Sequence, residues 1–184
     1  MSFRKNAAVA LMSAAALSLS IMSLMGLSPA IAAEERLSNS GFENGLEDWQ
    51  VSGETTGCTP RSGSGVLALN ADSSGGLTAQ NIENLPAGTY TFTGHLRLAS
   101  SDGVEGLAAY ASIKPLNETT ATMVELLPDT AYSSWSLQVP VDGTTGVRVS
   151  VVASSDGEAV ICLDDLSVQG PLVALPSPTA YEAW

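Results

Sequence analysis

The side chains that could carry out catalysis are few in this sequence. His95 is the only histidine, and no Gly-x-Ser-x-Gly turn is present to supply a serine nucleophile. Glycoside hydrolysis needs two carboxyl groups facing each other across a cleft, and the strands predicted below to line a groove carry none. No phosphate-binding loop, zinc motif or haem motif occurs either. The sequence therefore favours a binding or structural role over an enzyme.

The chain contains two cysteines, Cys58 and Cys162. Both follow the predicted leader, and in an exported protein a disulfide is the expected state of such a pair. The bond would join an early loop to the last strand, which stabilises a chain by on the order of 4 kcal/mol in the chain-entropy account. Two buried free thiols, or a pair that binds a metal, are the alternatives.

Short runs of alternating apolar and polar residues recur between clusters of turn residues. This period of two is typical of strands that bury one face. In 89–98, Tyr90 and Phe92 share one face, whereas His95 and Arg97 share the other. We therefore predict an all-β, jelly-roll sandwich of two antiparallel sheets. The other predicted strands are 66–69, 76–82, 107–114, 121–126, 135–139, 146–153 and 159–168.

The N-terminal 33 residues have the pattern of a secretory signal peptide. Arg4 and Lys5 precede an apolar stretch at 7–27, and small residues end the segment at Ala32 or Ala33. Cleavage there would leave one β-sandwich domain over 34–170 and a Pro-rich tail or linker over 171–184. A retained membrane anchor is the alternative, since the apolar stretch is long enough to cross a bilayer. We expect a secreted or cell-surface protein.

The charge of the chain restricts its partners. The formal net charge is -12, and removal of the leader takes away two basic and no acidic residues, which leaves a formal charge of -14. Such a surface repels phosphate groups, so we expect no nucleic acid partner and no anionic membrane partner after cleavage.

Two segments carry a family resemblance. The first is Leu-Ser-Asn-Ser-Gly-Phe-Glu-Asn-Gly-Leu-Glu-Asp-Trp at 37–49, and the second is Leu-Asp-Asp-Leu-Ser-Val at 163–168. Together they resemble the opening and closing motifs of carbohydrate-binding modules of the family-four, family-nine and family-twenty-two kind, which are jelly-roll sandwiches. The resemblance covers about 37–168. It implies a non-catalytic module whose ligand is a polysaccharide or glycan.

The same resemblance implies a structural calcium ion. In similar modules the ion is held by the glutamate of the opening motif, a nearby carbonyl and the first aspartate of the closing pair. These correspond to Glu43, the carbonyl of Gly41, and Asp164. Calcium takes six to eight hard oxygen ligands, so further ligands would have to come from the loop at 61–65. The alternative is that these are ordinary solvated carboxylates.

The resemblance and the strand pattern together predict a sugar-binding groove on a concave sheet. His95, Arg97, Tyr110, Ser112 and Gln138 occupy outward positions of predicted strands. Aromatic faces stack on the C–H surfaces of sugar rings, and planar polar groups bond sugar hydroxyls. Tyr110 is the stacking ring expected in this set. A structural or adhesive cell-envelope module that binds other envelope proteins and no sugar is the alternative, because aromatic residues are scarce.

Overall fold

The computed structural model describes residues 33–99, 105–143 and 145–171, and these form ten β-strands and no helix. The predicted signal peptide and tail lie outside this range, except for Ala33 and Pro171 at its two ends. The described parts of the chain contain no helix that could cross a membrane. The strands are β1 (Glu34–Glu35), β2 (Gln50–Ser52), β3 (Leu67–Ala71), β4 (Gly76–Ile82), β5 (Gly88–Leu98), β6 (Ala108–Pro115), β7 (Thr122–Leu126), β8 (Ser133–Val141), β9 (Val147–Ser154) and β10 (Ala159–Gly170).

The strands form two five-stranded antiparallel sheets. Sheet A has the order β1-β10-β5-β8. β1 pairs with the C-terminal end of β10, and β3 pairs with the N-terminal part of β10, at 159–163. Sheet B has the order β2-β4-β9-β6-β7. The predicted all-β sandwich of two antiparallel sheets is therefore confirmed.

The core lies between the inward faces of the two sheets. Tyr90 and Phe92 of β5 are fully buried, and so are Val147, Val149 and Val151 of β9. These positions alternate with exposed or half-buried ones along each strand, as a sheet with one covered face requires. The side chains of β9 that reach the outer face of sheet B are therefore Arg148, Ser150, Val152 and Ser154.

The first and last parts of the domain meet at one edge of sheet A. Strand β1 pairs with the end of β10, and the amide of Arg36 donates to the carbonyl of Val168 at 2.8 Å. The amide of Leu166 donates to the carbonyl of Ser40 at 3.0 Å. The opening and closing motifs are thus neighbours in space, as the sandwich prediction requires.

Candidate functional site

The residues predicted to line one groove lie on two opposite faces of the sandwich. His95 and Arg97 are on β5 and Gln138 is on β8, so these three belong to sheet A. Tyr110 and Ser112 are on β6, which belongs to sheet B. The prediction of a single groove was therefore wrong. Alternation shows which residues of a strand face outward, but it does not show to which sheet the strand belongs.

The outer face of sheet A around Arg97 is covered by the chain itself. The loop at 53–66 crosses this region and is bonded to β10 through the disulfide between Cys58 and Cys162, whose Cα atoms are 5.5 Å apart. Cys162 is the direct cross-strand neighbour of Arg97. The Arg97 guanidinium lies 5.3 Å from the ring centre of Tyr132, whose hydroxyl donates to the carbonyl of Thr59 at 2.9 Å. Arg97 thus packs against the ring that is hydrogen-bonded to the loop.

The predicted disulfide is confirmed, and both alternatives to it are wrong. Cys58 and Cys162 are bonded, and no free cysteine is present among the described residues. Cys162 is fully buried in β10, whereas Cys58 is partly exposed in the loop. Such bonds persist in oxidising compartments, which agrees with an extracellular location.

His95 lies beneath the same loop. Its Nδ1 atom is buried and has no hydrogen-bond partner in the described structure. Burial lowers the pKa of His95, and the nearby positive charge of Arg61 lowers it further, while Asp165 and Asp164 oppose the shift. These influences together favour the neutral form of the imidazole.

Gln138 is the one member of the sheet A set that lies in the open. Its side chain is exposed, and its amide donates to the hydroxyl of Thr91 at 3.1 Å. A binding role for His95, Arg97 and Gln138 stays a prediction.

The three predicted calcium ligands all lie against the segment 61–65. Both oxygens of the Glu43 carboxylate accept the amide of Ser64 at 3.0 Å. One oxygen of the buried Asp164 carboxylate accepts the amides of Arg61 and Ser62, at 2.7 and 3.2 Å. A side chain at Gly65 would come within 2.4 Å of the Gly41 carbonyl oxygen. The opening and closing motifs therefore hold this segment between them.

The partners of these carboxylates are hydrogen-bond donors. The Ser64 hydroxyl, followed by the amides of Gly65 and Ser64, lowers the pKa of Glu43. The described residues include no group of three His, Cys, Asp or Glu side chains arranged to hold a metal ion. The oxygen chemistry of Gly41, Glu43 and Asp164 suits calcium, but N–H groups already satisfy the two carboxylates. Calcium binding stays a prediction.

The opening motif is ordered by its own hydrogen bonds. The Asn39 side chain donates to the carbonyls of Gly45 and Glu47, at 2.9 and 3.2 Å, and accepts the amide of Asn44. The Trp49 indole donates to the carbonyl of Asn39 at 3.1 Å, and its ring packs 5.3 Å from that of Phe42. The Asn, Phe and Trp of this motif therefore shape the turn that presents Glu43.

The outer face of sheet B is open, and one row of side chains crosses all five of its strands. The register places Ser52, Leu77, Val152, Tyr110 and Glu125 next to one another in that order. Adjacent strands are about 4.8 Å apart, so neighbours in the row are in contact range. We call these five residues the Tyr110 row.

The next row combines small side chains in its middle with the exposed Met123 on β7, and the row after it is polar. Ser112 and Ser150 share a hydrogen bond of 2.8 Å and are flanked by Ala79. Beyond them, the Arg148 guanidinium donates to Gln50 and Asn81 at 3.0 Å. The outer face of sheet B thus grades from apolar at the Tyr110 row to charged and polar at Arg148.

A shallow groove of about 390 Å³ follows the apolar end of this face. Its volume falls within the range of sites that bind small molecules. Tyr110 is the one aromatic residue among those that line it. The lining residues are Ser52, Ser74, Gly75, Gly76, Leu77, Ala108, Tyr110, Val152, Ala153 and Ser154.

Sequence reasoning named Tyr110 as a groove residue, but it grouped Tyr110 with residues of sheet A and missed Leu77 and Val152. Val152 is 38% exposed and follows Val151, so it interrupts the alternation of β9 with an apolar residue on the outer face. That interruption was a visible signal. Its meaning depended on knowing that β9 lies between β4 and β6.

Comparison with solved structures identifies the fold. TmCBM61 in complex with β-1,4-galactotriose superposes with a TM-score of 0.57 at 17% identity, over 73% of this chain and 97% of that chain. The CBM22-1 xylan-binding domain of Xyn10C from Paenibacillus barcinonensis gives a TM-score of 0.53 at 14% identity, over 79% of this chain and 99% of that chain. The chain has the fold of a carbohydrate-binding module. The predicted resemblance is confirmed in this respect.

A curated protein is similar to this chain in sequence. Exochitinase 1 from Streptomyces olivaceoviridis is 29% identical over 176 residues, which cover 94% of this chain. The chain spans 28% of the length of that protein. No family model matches the chain.

Proposed function

We propose that this protein is an exported, non-catalytic module that binds a neutral polysaccharide on the open outer face of sheet B. The observation that carries the proposal is the groove along the Tyr110 row, on the sheet opposite the one that the 53–66 loop crosses. The disulfide and the pattern of the leader support export.

The groove has the composition of a sugar site. The half-buried ring of Tyr110 offers an aromatic surface for the C–H face of a pyranose, while Ser52, Ser74 and Ser154 supply hydroxyl groups at the sides. Gln50 lies one row away and Arg148 two rows away; they are already paired to each other and present planar polar groups to sugar hydroxyls. The groove lining contains no carboxylate and no histidine, which supports binding without hydrolysis.

Charge selects among polysaccharides. The chain without its leader carries a formal charge of -14, and this repels polymers with many carboxylate or sulfate groups. A neutral polymer avoids this repulsion. The name of the relative, Exochitinase 1, makes chitin the first neutral polymer to test.

Depletion from solution by insoluble polymers tests the proposal. Residues 34–171 are mixed with chitin, cellulose or xylan in 0.15 M salt, and the unbound protein is measured against polymer concentration. We expect retention on at least one polymer, and a loss of at least about tenfold in affinity for Tyr110→Ala, which corresponds to about 1.4 kcal/mol.

The matched control is Gln138→Ala, because Gln138 is exposed on the opposite sheet. This variant is expected to bind as the wild type does. Absence of retention on every polymer tested, or equal losses for Tyr110→Ala and Gln138→Ala, would refute the proposal.

A cell-envelope module that binds other proteins is the second candidate. It is favoured by the exposed apolar side chains of Met123 on β7 and Leu127 just after it, which are 64% and 78% exposed. β7 is the edge strand of sheet B, and exposed edges of this kind are suited to pairing with another chain. Sedimentation of the wild type and of Met123→Ser/Leu127→Ser, in the presence and absence of polymer, separates the two candidates.

A further inference from the structure

The outer face of sheet B departs from the usual pattern beside Tyr110. The outward face of an antiparallel sheet is normally polar, but Leu77 and Val152 are adjacent apolar side chains on it. Both line the groove, and Tyr110 continues the row on the next strand. The result is an aliphatic strip beside one aromatic ring, bordered by serine hydroxyls.

The groove offers too little aromatic surface to hold a ligand by ring stacking alone. Binding to a flat, unsubstituted glucan by stacking would call for several aromatic rings along the chain, and Tyr110 is the one ring in the groove. An aliphatic strip instead suits a small apolar substituent on the sugar. The serine hydroxyls beside it suit a polar group that carries that substituent.

We propose that the groove selects sugars that carry an N-acetyl group, with the acetyl methyl against Leu77 and Val152 and the amide beside the hydroxyls of Ser52 and Ser154. This inference rests on the proposed function, since it names the class of polysaccharide that the Tyr110 row binds. The sugar ring that carries the acetamide stacks on Tyr110. The ligand class is a neutral polymer of N-acetylated hexosamine.

The expected selectivity follows from the burial of one methyl group. Moving a methyl from water onto an apolar surface changes an equilibrium constant by about fourfold. A hydrogen bond from the acetamide to a serine hydroxyl adds about fivefold. We therefore expect N-acetylated oligomers to bind about tenfold or more tightly than unsubstituted ones of the same linkage.

The test compares two neutral ligands that differ at one substituent. The hexamer of β-1,4-linked N-acetylglucosamine and cellohexaose, the hexamer of β-1,4-linked glucose, are titrated calorimetrically into residues 34–171. Because neither ligand is charged, the acidity of the protein does not bias the comparison. The N-acetylated hexamer is expected to bind about tenfold more tightly.

Val152→Thr probes the strip directly. Threonine has nearly the shape of valine and suits a strand, and Val152 is partly exposed, so the substitution preserves the fold. It is expected to weaken binding of the N-acetylated hexamer about fourfold and to leave cellohexaose unchanged. The same substitution at Val160, which lies on sheet A, is the matched control and changes neither affinity.

The outcomes separate this inference from the proposed function. Equal affinity for the two hexamers, with both weakened by Tyr110→Ala, would overturn the N-acetyl inference and leave polysaccharide binding on sheet B intact. A loss for Val152→Thr that is the same for both ligands would also overturn it. Failure of both hexamers and of every insoluble polymer to bind would end both proposals.

Discussion

Removal of the Cys58–Cys162 disulfide gives a stability change that can be calculated in advance. The bond joins residues 104 positions apart, so it closes a loop of about 105 residues in the unfolded chain. In the chain-entropy account, closing a loop of this length lowers the entropy of the unfolded chain by about 16 cal/mol/K. The folded state is thereby stabilised by about 4.7 kcal/mol at 25 °C. The variant Cys58→Ala/Cys162→Ala should lose that amount of unfolding free energy. With a urea m-value of about 2 kcal/mol/M, the unfolding midpoint falls by about 2 M.

The two single variants distinguish loop closure from packing. Cys162 is fully buried whereas Cys58 is partly exposed, so a loss caused by a cavity would be large for Cys162→Ala and small for Cys58→Ala. Loop closure instead predicts nearly equal losses for both single variants and for the double variant. The assay is urea unfolding followed by tryptophan fluorescence, with reductant present for the single variants. A loss below about 1 kcal/mol in the double variant, or a loss confined to Cys162→Ala, would refute the calculation.

Two further predictions concern the covered side of sheet A. If calcium binds at Gly41, Glu43 and Asp164, EDTA lowers the melting temperature of the calcium-loaded wild type and not that of Glu43→Gln. An unchanged melting temperature when calcium is added to wild-type protein shown by elemental analysis to be metal-free rejects the site. The lowered pKa of His95 means that the unfolded chain takes up its proton first, so stability is lost as pH falls below about 6.5 and the loss levels off below the folded pKa. His95→Gln is expected to remove this loss of unfolding free energy between pH 7 and 5. An identical slope of unfolding free energy against pH in the wild type and in His95→Gln would contradict the prediction.

The fold could be predicted from the sequence because one face of almost every strand is buried. The predicted strand at 76–82 has the same bounds as β4. The predicted strand at 89–98 differs from β5 by one residue at its start, and the predicted strand at 146–153 differs from β9 by one residue at each end. Alternation is clear in the long strands β5, β6, β8 and β9. Strands β1 and β2, of two and three residues, are too short to show it, and they were missed.

The grouping of the site residues could not be predicted, because it depends on topology. β5 and β6 follow one another in sequence but belong to different sheets, so His95 and Tyr110 are separated by the core. The covering of Arg97 depends on the path of the 53–66 loop, which the disulfide and the Tyr132 contact fix in three dimensions. The resemblance predicted that Glu43 and Asp164 lie close enough to share a calcium ion; in the structure both carboxylates instead accept amides of the 61–65 segment.

The measurement that tests the central claim most directly is the mapping of a bound oligosaccharide by NMR on isotope-labelled residues 34–171. Binding at the open face predicts that the largest amide shift changes cluster at the Tyr110 row on β4, β9 and β6, while amides around His95 and Arg97 on β5 stay unchanged. Shift changes centred on β5 and the 53–66 loop would contradict the account, because they would place the ligand on the face that the loop covers.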